Sequence, residues 1–134
     1  MIHHITHFFK KVGYGLGSSR WLARSLVKHA RIRDHGNIRI LELGAGKGNV
    51  TREILSHLGN NVSLTAIEYD IDRVEILRHI VHPHIEIIHG NVENLEDYCE
   101  HGSIDIVIST LPLGSFDPVV VEKVLGNIKN VLRK

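Results

Sequence analysis

The chain has a single cysteine, Cys99, so no internal disulfide can form, and that usage fits a reducing compartment. It has no run of about 18 apolar residues, the length a bilayer-spanning helix needs. Its first residues, MIHHITHFFKK, lack the apolar stretch and small-residue cleavage site of a secretory signal, so the expected location is cytoplasmic. No repeat, low-complexity tract or linker divides the 134 residues, and 43% apolar content is enough to bury a core, so residues 1–134 read as one domain. Zinc signals are missing too: there is no cysteine pair and no HExxH helix. His79, His82 and His84 run off a helix across Pro83 into a strand, and no metal is expected.

Acidic residues are nearly absent from residues 1–35, where seven Lys/Arg meet only Asp34, giving about +6. Residues 36–134 carry about −5, so the overall +1 hides a basic segment set before an acidic core. That asymmetry implies an anionic partner. Within the segment Ile2, Ile5, Phe8, Phe9 and Val12 recur at helical spacing, with His3, His4, His7, Lys10 and Lys11 around them. Two readings stay open for residues 2–12: a helix lying in lipid headgroups on the inner membrane surface, or a first helix packed on a sheet. A second helix is expected from a Ser18 or Ser19 cap to about Ile32. Arg20 near its start is either a phosphate ligand or part of a solvated charged face.

What is present is concentrated in Ile38 to Thr51, IRILELGAGKGNVT. Ile38, Ile40, Leu41 and Leu43 make the near-continuous apolar run of a strand covered on both faces. Gly44, Gly46 and Gly48 then let backbone approach a ligand, and a helix follows. The spacing is G-x-G-x-G, with Asn49 where the third glycine of a dinucleotide fingerprint would fall, so NAD is disfavoured. A P-loop would need a glycine at Leu41 and a hydroxyl at Gly48, so that reading fails as well, and Lys47 is left as a solvated helix-start residue.

E-x-G-x-G-x-G at the end of a first strand, carried by Glu42, Gly44, Gly46 and Gly48, resembles motif I of the class I S-adenosylmethionine-dependent methyltransferases. The resemblance covers roughly residues 38 to 118. It implies an α/β, Rossmann-like fold with a minimal parallel sheet in the order 3-2-1-4 and N-terminal helices over the cofactor end. S-adenosylmethionine is the implied cofactor and S-adenosylhomocysteine its product. A second strand, Val62 to Glu68, ends in an acid able to accept from both hydroxyls of a ribose, with Tyr69 placed to cover an adenine face. A third strand, His84 to His89, ends in Gly90, Asn91 and Val92, where the family commonly carries an acid. Asn91 accepts from an amine without charge. The cofactor set implied is Glu42, Gly44, Ala45, Gly46, Gly48, Glu68, Tyr69, Gly90, Asn91, Val92 and Ser109.

The fourth strand, Ile104 to Ser109, runs into Ser109-Thr110-Leu111-Pro112-Leu113 at the place of motif IV, which lines the methyl-transfer site in the family. Ser109, Thr110, Leu111 and Pro112 are the candidate catalytic residues: their carbonyls and hydroxyls orient an amine, and no general base is visible. Amino-methylating members often carry N/D-P-P-Y or N-L-P-Y there. This chain keeps the proline and lacks the aromatic. The S-x-L-P-L run, with Gly17-Ser18-Ser19-Arg20-Trp21-Leu22-Ala23-Arg24 upstream, is similar to bacterial phospholipid N-methyltransferases. The resemblance therefore implies N-methylation of a phospholipid headgroup amine, with Ser18, Ser19 and Arg20 as substrate contacts. Methylation of an rRNA adenine amine is the alternative, since the basic segment suits a phosphate backbone. A non-catalytic S-adenosylmethionine-binding or interaction module is the third reading.

A last helix is expected from an Asp117 cap through Pro118 to Leu132. The family fold continues into further strands beyond such a helix. With none in this sequence, the fourth strand is expected to leave an apolar edge that self-association or a partner covers.

Overall fold

The computed structural model describes residues 4–7, 38–58 and 61–133. Its centre is a five-stranded, wholly parallel sheet of β1 (His4–His7), β2 (Ile38–Leu43), β3 (Val62–Glu68), β4 (Ile85–His89) and β5 (Ile106–Ser109), in the order β1-β5-β2-β3-β4. Leaving out β1, the succession is the expected 3-2-1-4 arrangement. Among the described residues three helices accompany it: α1 (Asn49–Leu55), α2 (Ile71–Leu77) and α3 (Pro118–Val131). Short 3₁₀ turns cover Val92–Asp97 and Leu113–Ser115.

Side chains alternate across a strand, which sorts the apolar runs into two faces. Ile38, Ile40, Val62, Leu64, Ile106 and Ile108 pack with Val50, Ile54 and Leu55 of α1. Leu41, Leu43, Ile67 and Val107 turn the other way, onto Val124, Ile128 and Val131 of α3 and Leu95 of the first 3₁₀ turn. Each of these fully buried aliphatic side chains contributes about 1.5–3 kcal/mol. Covering both faces is why the central strands place apolar residues on both of them. Asp70 caps α2 through its side chain, accepting from Asp72 N at 2.9 Å, and Asp117 caps α3, accepting from Val119 N at 2.9 Å. Asn127 of α3 donates to the carbonyls of Val92 and Glu93 at 3.3 and 2.8 Å, so the first 3₁₀ turn and α3 form one wall.

The N-terminal expectation needs correction. Residues 4–7 are a strand, paired in parallel with β5 in the register Ile5↔Val107 and Thr6↔Ile108. A helix running unbroken over residues 2–12, whether interfacial or packed on a sheet, is therefore excluded. Pairing to a long-range partner overrides a short helical periodicity, and β-branched Ile5 and Thr6 suit a strand. The expected exposed edge is corrected by the same pairing: β5 is flanked by β1 and β2, which removes the reason given for self-association there. Ser18, Ser19 and Arg20 lie outside the described residues, as does the rest of the expected second helix.

Among the described residues no helix is long and apolar enough to cross a membrane, and no group of three His, Cys, Asp or Glu side chains is placed to hold a metal ion. The His82 and His84 rings lie 5.6 Å apart, with His84 N donating to His82 Nδ1, while His79 Nδ1 bonds the carbonyl of Glu75.

Candidate functional site

Parallel strands deliver their C-terminal ends to one rim, and the loops leaving β2, β3, β4 and β5 meet there around a cleft of about 490 Å³. β2 contributes Gly44. Its φ of 76° is costly for any residue with a side chain, and an added Cβ would sit 2.8 Å from Leu111 Cδ2. Gly46 also has positive φ, 58°, but among the described residues a Cβ there meets nothing within 4 Å. The loop is held from below, with Gly44 N and Ala45 N donating to the Ile67 carbonyl at 3.0 and 3.3 Å.

β3 ends in Glu68, 6% exposed and on the cleft wall. Its Oε1 accepts from Gly46 N at 2.8 Å and its Oε2 from Asp70 N at 3.0 Å, so one carboxylate ties the glycine loop to the start of α2. A carboxylate has about four lone-pair sites, so two remain for a ligand's hydroxyls. Tyr69 follows, 72% exposed, with its carbonyl bonded to His89 Nε2 at 2.9 Å. β4 leads to Gly90, Asn91 and Val92, all on the cleft. Asn91 Oδ1 already accepts from Glu93 N at 2.9 Å, so its first task is to cap the turn, and one lone pair is left for an amine.

β5 leads to Thr110, Leu111 and Pro112, also on the cleft. Thr110 Oγ1 donates to the Gly44 carbonyl at 2.9 Å, fastening this loop to the glycine loop. Ser109 is not on the cleft. It is 1% exposed, and its Oγ accepts from Leu111 N at 3.3 Å, shaping the loop from within. Gly48 is buried as the α1 cap with φ 96°, and Ala45 and Gly46 also stand off the cleft lining.

Glu42 is wholly buried on the α1 face, where Thr51 Oγ1 donates to its Oε1 at 2.6 Å and Oε2 has no partner among the described residues. Burial pushes its carboxyl up to about 8, the Thr51 bond opposes that shift, and the nearby Glu68 carboxylate adds to it. Glu42 thus sits beneath the loop as a neutral acid at pH 7, away from the cleft surface.

Sequence reasoning did not single out Arg73, Glu93, Phe116, Asp117 and Val120 as site residues, yet all line the cleft. For Phe116 a signal existed. The aromatic missing beside Pro112 arrives four residues later, brought back by the turn at Leu113–Ser115.

The methyltransferase domain family matches residues 40–134. The chain is 29% identical over 121 residues to the ornithine lipid N-methyltransferase of Singulisphaera acidiphila, a match covering 86% of this chain and 62% of that protein. It is 25% identical over 97 residues to the ribosomal RNA small subunit methyltransferase H of Polynucleobacter necessarius, covering 72% and 29%. Among solved structures, an S-adenosyl-L-methionine-dependent methyltransferase from Methanococcus maripaludis superposes with a TM-score of 0.70 at 18% identity, covering 88% of this chain and 52% of that one. The chain spans under two thirds of the length of each. It belongs to the methyltransferase domain family, and its fold is that of the S-adenosylmethionine-dependent methyltransferases.

Proposed function

We propose that this domain binds S-adenosylmethionine in the cleft and transfers its methyl group to an amine, with a phospholipid headgroup as the acceptor. The observation that carries the cofactor half is the Glu68 carboxylate, fixed between Gly46 N and Asp70 N at the cleft wall with acceptor capacity to spare. Gly44 offers backbone at close range, Glu68 is set for ribose hydroxyls, and Tyr69 with Gly90, Asn91 and Val92 frames the base. The bound cofactor supplies a methyl carbon made electrophilic by a sulfonium. The chain's own part is positioning: Thr110, Leu111 and Pro112 hold the acceptor nitrogen in line and exclude water. Support for a lipid amine comes from the S-x-L-P-L run and from the lipid named in the Singulisphaera relative. The Polynucleobacter relative keeps an RNA base as the second reading.

Calorimetric titration of S-adenosylmethionine and S-adenosylhomocysteine into the wild-type chain and Glu68→Ala tests the cofactor. Binding is expected in the first and a loss of about 100-fold in the second, from two charge-assisted hydrogen bonds of about 1.5 kcal/mol each. Absence of binding to folded wild-type protein sinks the proposal. Labelled methyl transfer to phosphatidylethanolamine vesicles, against RNA, then decides the acceptor. Cofactor binding with transfer to neither leaves the non-catalytic module.

A further inference from the structure

The rim after β5 carries chemistry that the motif there does not explain. Phe116 is half-buried, packed at the edge of the α3 core, and lines the cleft. Asp117 follows it at the mouth. One of its oxygens, Oδ1, is spent on capping α3, and among the described residues its other oxygen has no hydrogen bond or ion pair. Glu93 lies on the wall that Asn127 ties to α3. The cleft's described lining carries three carboxylates, those of Glu68, Glu93 and Asp117, and one guanidinium, that of Arg73. Net negative potential favours a cation.

We infer that Phe116 and Asp117 form an acceptor subsite selective for a protonated alkyl amine, the ring face and the free carboxylate oxygen together binding the ammonium. This rests on the amine-transfer reading above and narrows it: the acceptor nitrogen belongs to a basic, charged amine. An exocyclic nucleobase nitrogen is neutral at pH 7 and gains nothing from either group. A cation over an aromatic face and an exposed carboxylate partner are each worth a few-fold in affinity. Asp117 holds the charged form and passes no methyl group. The ammonium gives one proton to water before its lone pair takes the methyl carbon, and the methylated ammonium and S-adenosylhomocysteine leave.

Asp117→Asn isolates the charge, because asparagine caps a helix as well as aspartate does. The probes are two soluble short-chain lipids, dihexanoyl-phosphatidylethanolamine and dihexanoyl-phosphatidylglycerol, which share a phosphate and differ in presenting an ammonium or hydroxyls. They are titrated into protein saturated with S-adenosylhomocysteine. Wild-type protein is expected to prefer the ethanolamine lipid by about tenfold. Asp117→Asn is expected to lose about threefold of that preference and Phe116→Leu a similar part, with affinity for S-adenosylhomocysteine and the thermal midpoint of Asp117→Asn unchanged. Equal binding of both lipids by wild-type protein, binding of neither, or a preference that survives both substitutions overturns the subsite. If S-adenosylhomocysteine itself fails to bind, the cofactor reading falls, and the same lipid comparison without it still judges Phe116 and Asp117.

Discussion

Replacing Glu42 by glutamine is expected to change the sign of its effect on stability between pH 5 and pH 8. The carboxyl is raised from 4.5 to about 8, chiefly by burial. Between those limits the unfolded chain has released a proton that the folded chain still holds. Stability from this group is thus complete below pH 4.5 and lost as pH rises through 8, at about 1.4 kcal/mol per pH unit and about 4–5 kcal/mol across the window. Glutamine does not titrate. Its carbonyl can accept the Thr51 bond that Oε1 accepts now, while its amide nitrogen takes the place of the unpartnered Oε2 at a cost of about 1–3 kcal/mol. Near pH 5 the variant should be less stable than wild type by about 1 kcal/mol, and near pH 8 more stable by about 2–2.5 kcal/mol. Urea unfolding of both proteins at four pH values reads the difference directly, and titrating groups not coupled to Glu42 cancel in the subtraction. A difference that stays flat within about 0.5 kcal/mol over this range would refute a neutral, buried Glu42.

Other outcomes follow from the same geometry. Gly44→Ala should cost about 1–2 kcal/mol for the left-handed backbone alone, and because its Cβ displaces Leu111 into the cleft, affinity for S-adenosylmethionine should fall at least tenfold; urea midpoints and calorimetry check the pair. Removing residues 1–8 strips β1 from β5, so light scattering should show concentration-dependent association absent from the full chain; a dispersed, equally stable product would mean β1 contributes nothing. Cys99 is 8% exposed and its thiol is pushed up by burial and by the Glu86 carboxylate, so a thiol reagent should label it at the rate of unfolding, accelerated by urea, with no fast native phase.

Much of the cofactor half was legible along the chain because its signals are local. The run from Ile38 to Leu43 is apolar on both faces, and a central parallel strand cannot be otherwise. Glycines mark the turn, Asp70 and Asp117 sit where helix caps must, and Glu68 closes a strand whose alternation is visible in VSLTAIE. Even the burial of Ser109 was implicit, since it shares a face with Val107 in a period of two.

Other features depended on contacts between residues far apart. β1 pairs with residues about a hundred positions away, and five residues at helical spacing carry no trace of that partner. Glu42 looks like any acid of a glycine-loop motif until α1 folds over it, and only enclosure by that helix removes the water that would keep it charged. Phe116 and Asp117 read as the run-up to a helix, yet the turn at Leu113–Ser115 carries them back to the cleft that Glu68 and Gly44 open from other strands. Hydrophobic period, turn chemistry and capping act over a few residues and are written into the order of amino acids. Edge pairing, desolvation and the lining of a cleft arise when distant segments meet, so only the folded chain decides them.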